Sequence, residues 1–243
     1  MRVRHELGVG WLIVAVLSAA CSAPARPDEE APARGVAVAA GTARPASISA
    51  PGRPRIVVLG DSLTAGLGLS PDQAFPAVLQ HLSDADGLEY DIVNAGVSGD
   101  TSAGGLRRLG WVLEGDVRIL VVALGGNDGL RGVPAEELRR NLATIIERAQ
   151  ARDISVVLTG MEAPPNLGPA YTAAFREVYV DLTERYDVTF LPFLLDGVAG
   201  MASLNQRDGI HPNAEGAELV AELLWPVLRP VALERQADVS AAP

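Results

Sequence analysis

Val117-Arg-Ile-Leu-Val-Val-Ala-Leu124-Gly-Gly-Asn-Asp128 is an apolar run, broken only by Arg118, that stops at two glycines and two polar side chains. A continuous apolar run of this length, with no alternation, is the pattern of a strand buried on both faces. Both faces are covered only when helices pack above and below a parallel sheet. The segments on either side repeat the theme. Ile56–Leu59, Tyr90–Val93, Ile154–Thr159 and the weaker Val188–Leu191 read as four further short strands. Between them lie helical patterns over Ala74–Leu82, Ala103–Leu113, from Pro134 through Ala149, and Tyr171–Arg185. A last one, from about Asn213 to Leu228, is expected to bury Leu219, Val220, Leu223, Leu224 and Val227. Strand and helix in alternation predict an α/β fold with a central parallel sheet of five strands. In such folds the reactive groups gather at the C-terminal ends of the strands.

Four strand-end or helix-start segments carry polar chemistry. Gly60-Asp61-Ser62-Leu63 follows the first strand and puts a serine on a turn; a serine hydroxyl is a weak nucleophile until a base takes its proton. The same tetrapeptide is also an ordinary turn. Asn94 to Ser102 follows the second strand, where Gly99 could bring a backbone N–H against a carbonyl oxygen. Asp100, Thr101 or Ser102 would cap the next helix. Gly125-Gly-Asn127-Asp128 ends the third strand, and Asn127 could offer its amide to an oxyanion. Asp208-Gly-Ile-His211 precedes the last helix, where a carboxylate three residues before a histidine can fold back onto the ring. The chain has three histidines: His5, in the leader; His81, on an amphipathic helix; and His211. A histidine base, if there is one, is His211.

Composition removes other classes. A formal charge of −10 lacks the basic footprint that nucleic-acid binding needs. No His-Glu-x-x-His sequence and no cluster of three histidines points to a metal. No Gly-x-Ser-x-Gly elbow appears. The single cysteine, Cys21, permits no internal disulfide.

The first fifty-odd residues read as address and tether. Arg2 and Arg4, an apolar run from Leu7 to Leu17 and small residues before Cys21 are laid out as a secretory signal peptide over 1–20. The ending resembles a bacterial lipobox that would lipidate Cys21, although Ser18 stands where that motif usually has leucine. Residues 21–54, rich in Ala, Pro, Arg and Gly, read as a tether. The folded domain spans 55–230, and 231–243 reads as a frayed tail. The expectation is an exported protein, periplasmic or at the cell surface, anchored to a membrane through Cys21.

Together the four segments resemble the SGNH, or GDSL, hydrolases, and within them the bacterial thioesterase/lysophospholipase and arylesterase branch. The stretches that carry the resemblance are Val58–Gly66, Val97–Ser102, Leu124–Gly132 and Asp208–Asn213. The resemblance implies a three-layer α/β/α, flavodoxin-like fold and a triad of Ser62, Asp208 and His211. It implies an oxyanion hole from the N–H groups of Ser62 and Gly99 and the amide of Asn127. It implies a mobile acyl-groove wall over Gly129–Pro134, with Gly129, Leu130 and Arg131. Met161–Gly168, with Pro165 and Asn166, would form another wall. The expected chemistry is cleavage of carboxylic esters or thioesters, lysophospholipids among them, by a monomer without cofactor or metal. Deacetylation of a cell-envelope carbohydrate is one alternative. A non-catalytic lipid-binding lipoprotein on the same scaffold is the other.

Overall fold

The computed structural model describes residues 52–241. The signal-peptide and lipidation readings, and nearly all of the tether, lie outside the described residues. Five strands form one parallel sheet: β1 (Arg55–Gly60), β2 (Asp91–Gly96), β3 (Val117–Ala123), β4 (Ser155–Thr159) and β5 (Thr189–Leu191). Their spatial order is β2-β1-β3-β4-β5, with Val58 beside Asn94 on one side and Val121 on the other. This is the flavodoxin-like order, in which the direction of winding reverses between β1 and β3. Ile119, Leu120, Val121 and Val122 of β3 are fully buried. Burial of each such side chain contributes about 1.5–3 kcal/mol.

The helices are α1 (Ser62–Ala65), α2 (Phe75–Ala85), α3 (Ser102–Val112), α4 (Gly126–Arg131), α5 (Ala135–Gln150), α6 (Pro169–Arg185) and α7 (Ala214–Ala241). On one face of the sheet α2 packs against α7; on the other α3, α5 and α6 pack side by side. The three layers therefore stand as expected. No helix among the described residues is long and apolar enough to cross a membrane.

Three details depart from the sequence reading. Residues after Pro230 are not frayed: α7 runs through Pro226 and Pro230 to Ala241. Tertiary anchors outweigh the two lost backbone donors there. Ala232 is fully buried and its carbonyl accepts the Tyr90 hydroxyl, Arg235 pairs with Asp153 at 2.9 Å, and the Gln236 side chain accepts the Glu89 N–H. Leu219 lies on the outer face of α7, because the buried row is Val220, Leu224 and Leu228. The stretch Gly129–Pro134, read as a loop, begins inside α4.

Candidate active site

Ser62 is the first residue of α1, directly above β1. Asp61 caps that helix, its Oδ1 accepting the Leu63 N–H at 3.0 Å. The Ser62 N–H belongs to the first turn, whose donors have no acceptor within the helix. Ser62 Oγ lies 2.9 Å from His211 Nε2, and His211 Nδ1 lies 2.7 Å from Asp208 Oδ2. With Nδ1–H donating to the carboxylate, Nε2 is left to accept from the serine hydroxyl. Asp208 Oδ1 accepts the N–H groups of Ile210 and His211 at 2.9 and 3.0 Å. Those two backbone donors, His211 first, and then the imidazole hold the Asp208 carboxyl at about 2, below its ordinary 3.8. The carboxylate is therefore ionised wherever the imidazole is neutral.

The other donors come from the neighbouring strand ends. Gly99 sits in the turn after β2 at φ +83°, a conformation costly for residues with a Cβ. Among the described residues its N–H has no acceptor. Gly125, at φ +121°, turns β3 into α4, and a Cβ there would run into the Tyr179 hydroxyl. The turn delivers Asn127, whose amide gives one N–H to Asp61 Oδ2 at 3.1 Å; the other has no acceptor among the described residues. Burial raises the Asp61 carboxyl, and the Leu63 N–H and Asn127 amide offset part of that.

Above these groups opens a cavity of about 710 Å³. Met161, Ala163, Pro164, Phe193, Leu195 and Ala199 give it an apolar wall. Of the five residues expected to touch substrate, Leu130 and Pro165 line this cavity. Gly129 does not: it is buried under Ala163 and Phe175. Nor does Arg131, which donates to the Gly99 carbonyl at 2.9 Å. Asn166 is exposed and is not part of the wall. His81, by contrast, is exposed on α2, as its helical spacing predicts.

Several groups hold these side chains in place without a role that the motifs themselves announce. Asp61 orients Asn127, and the signal available was its place one residue before a helix start. Gln206 donates through its amide to Leu67 and Pro212, tying the histidine loop to the serine loop. Thr101, one of three possible caps, is the N-cap of α3. Asp128 is wholly buried, and both its oxygens are taken by Ser102: Oδ1 by the hydroxyl at 2.6 Å and Oδ2 by the N–H at 2.8 Å. One carboxylate thus joins the segment bearing Asn127 to the segment bearing Gly99.

Comparison with known proteins gives the same answer from another direction. The profile of the GDSL-like lipase/acylhydrolase family matches residues 58–219. The chain is 43% identical over 177 residues to the esterase TesA of Pseudomonas aeruginosa, covering 72% of this chain and 88% of the relative. It is 37% identical over 177 residues to the thioesterase 1/protease 1/lysophospholipase L1 of Escherichia coli K12, covering 72% and 84%. A solved structure of the psychrotrophic esterase EstA from Pseudoalteromonas sp., inhibited by monoethylphosphonate, superposes with a TM-score of 0.68 at 31% identity, over 72% of this chain and 97% of that one. The chain belongs to the GDSL-like lipase/acylhydrolase family and is an ester hydrolase.

Proposed function

We propose that the enzyme cleaves acyl esters and thioesters with an aliphatic acyl chain, lysophospholipids included, through a covalent acyl-serine. The observation that carries this reading is the 2.9 Å approach of Ser62 Oγ to His211 Nε2 at the mouth of an apolar cavity. His211 takes the Ser62 proton as Oγ bonds to the substrate carbonyl carbon. The carbonyl π electrons move to oxygen, and the N–H groups of Ser62, Gly99 and Asn127 receive the resulting charge. When the tetrahedral species collapses, the bond to the leaving oxygen or sulfur breaks, and His211 hands over its proton. Water then repeats the sequence and frees the acid. Asp208 fixes the tautomer and stabilises the transient imidazolium.

Substrate class is tested by a series of p-nitrophenyl esters of increasing chain length, with lysophospholipid and an acetylated glycan alongside. The apolar wall favours kcat/KM rising from acetyl to medium chains. A preference for the acetylated glycan would overturn this in favour of a carbohydrate esterase.

The pH profile follows from the electrostatics. Protonated imidazole cannot accept the serine proton, so kcat/KM for a soluble ester should fall on acidification with a limiting slope of one. Asp208 adds no second proton to that limb, because its carboxyl stays ionised down to about 2. A profile flat from pH 5 to 8 would remove His211 as the base. The sign for stability is the same. A carboxyl whose folded value lies below its unfolded one stabilises the fold above about pH 4 and loses that contribution as pH falls through about 2.

The leader supports export and anchoring through a lipidated Cys21. Radiolabelled palmitate retained after Cys21→Ser would sink the anchor.

A further inference from the structure

Among the described residues, ten large apolar side chains are exposed. Four of them, Trp111, Val180, Leu219 and Leu233, are scattered over the outer surfaces of α3, α6 and α7. The other six share one end of the sheet, and every strand-to-helix connection there contributes. Leu67 follows β1, Val97 follows β2, Leu130 follows β3, Leu167 follows β4, and Met201 and Ile210 follow β5. Leu67, Leu130 and Ile210 form the lip of the cavity above Ser62. Val97, Leu167 and Met201 stand just outside it, each next to or two residues from a lining residue: Ser98, Pro165 and Gly200. They are 44%, 38% and 51% exposed. Scattered apolar residues on a surface are ordinary, but a ring of them around one opening marks something that covers it.

We propose that this ring is a docking surface for a lipid bilayer, so that the site opens directly into the layer holding its substrate. The proposal rests on the lipid-ester reading above. Three observations choose this occupant. The ring encloses the route by which an acyl chain must enter, so a second protein copy seated on it would block turnover, whereas a lipid layer supplies the substrate. Its side chains are purely aliphatic or thioether, suited to acyl chains. Arg131 and Arg207, exposed at the same end, suit headgroup phosphates; of the exposed carboxylates there, Glu162 is paired with Arg176 at 2.9 Å and Asp208 is bound to His211 at 2.7 Å. The polypeptide also enters the domain at Arg55, the opposite end of β1 from Ser62, so the junction with the preceding chain does not occupy the ring.

The test uses residues 52–243, first checked for a single cooperative melting transition; the solved esterase superposed above consists almost wholly of the region matched here. Wild type and the triple variant Val97→Ser, Leu167→Ser, Met201→Ser are sedimented with phosphatidylcholine vesicles containing lysophosphatidylcholine. Wild type should pellet with the vesicles, and the variant's partitioning should fall at least about tenfold, since each removed side chain forfeits its apolar burial. Turnover of soluble p-nitrophenyl acetate should be unchanged in the single variant Met201→Ser, whose vesicle binding should also fall, because Met201 neither lines the cavity nor belongs to a segment assigned to the site. Wild type remaining in the supernatant, or equal binding by the variant, overturns the proposal. So does a wild-type dimer that the variant dissociates without any change in vesicle binding; the ring is then a contact between copies. Vesicle binding without release of fatty acid from the lysolipid overturns the substrate reading and leaves the docking surface standing.

Discussion

Ser62→Ala should lower kcat on a p-nitrophenyl ester by at least about 10⁴-fold while leaving the melting temperature within a degree or two of wild type. Among the described residues it is the Ser62 hydroxyl that lies within reach of His211 Nε2, at 2.9 Å. Its removal deletes one oxygen atom at the cavity floor, where Ser62 is 9% exposed, and no backbone contact goes with it. The loss should not compound with that of the base. Ser62→Ala combined with His211→Ala should be no slower than the worse single variant, because the two groups act as a unit. Asn127→Ala makes the informative contrast. It keeps the nucleophile and base and removes one oxyanion donor, so kcat should fall by roughly 10²–10³ with acylation still detectable. Fluorophosphonate labelling separates the cases. Ser62→Ala should take up no label, and Asn127→Ala should label slowly. A Ser62→Ala protein that labels or turns over normally would place the nucleophile elsewhere.

The largest effect on stability should come from Asp128→Ala. Both carboxylate oxygens are satisfied by Ser102, whose hydroxyl also accepts the Asn141 amide at 2.9 Å. Truncation leaves the Ser102 N–H buried without an acceptor and removes two hydrogen bonds. The cost is about 3 kcal/mol or more, or roughly 6–12 °C in melting temperature for a domain of this size. Activity should fall further than stability explains. The same carboxylate sets the spacing between the Gly99 and Asn127 segments, so kcat at a temperature where the variant is folded should drop while KM holds. Ser102→Ala keeps the backbone N–H contact and should be milder on both counts. Equal melting temperatures for Asp128→Ala and wild type would show that the carboxylate is not needed as an acceptor.

The sheet was legible in the sequence because its strands are short, continuous and apolar, with glycines at their ends. The small helix α4 was not. Gly-Asn-Asp-Gly has poor helix propensity, and the turn is held by contacts from elsewhere: Ser102 on Asp128, and the Tyr171 hydroxyl donating to the Val133 carbonyl at 2.7 Å. The end of α7 escapes a local reading for the converse reason, since Pro230 is a local stop signal and its override comes from Tyr90, Asp153 and Glu89, far away in the chain. At the site, the four polar segments were visible because each ends a strand or precedes a helix. What orients them was not. Asp61 and Gln206 act across gaps of 66 and 139 residues, and nothing local in the sequence records those partners. Arg131 shows the limit of reading a wall from its position: its neighbour Leu130 faces the cavity, while Arg131 reaches across to the Gly99 carbonyl.

The long last helix has a consequence for how the protein is made. Ser62 leaves the ribosome 149 residues before His211. The helix α7, which covers α2, follows every strand in the chain, so the part of α2 that faces it stays uncovered until α7 has been made. Before that point the chain holds a nucleophile without a base and a sheet with one layer incomplete. Such a chain is inert toward ester bonds and only partly packed. The base and the cover of α2 arrive together, because α7 begins three residues after His211.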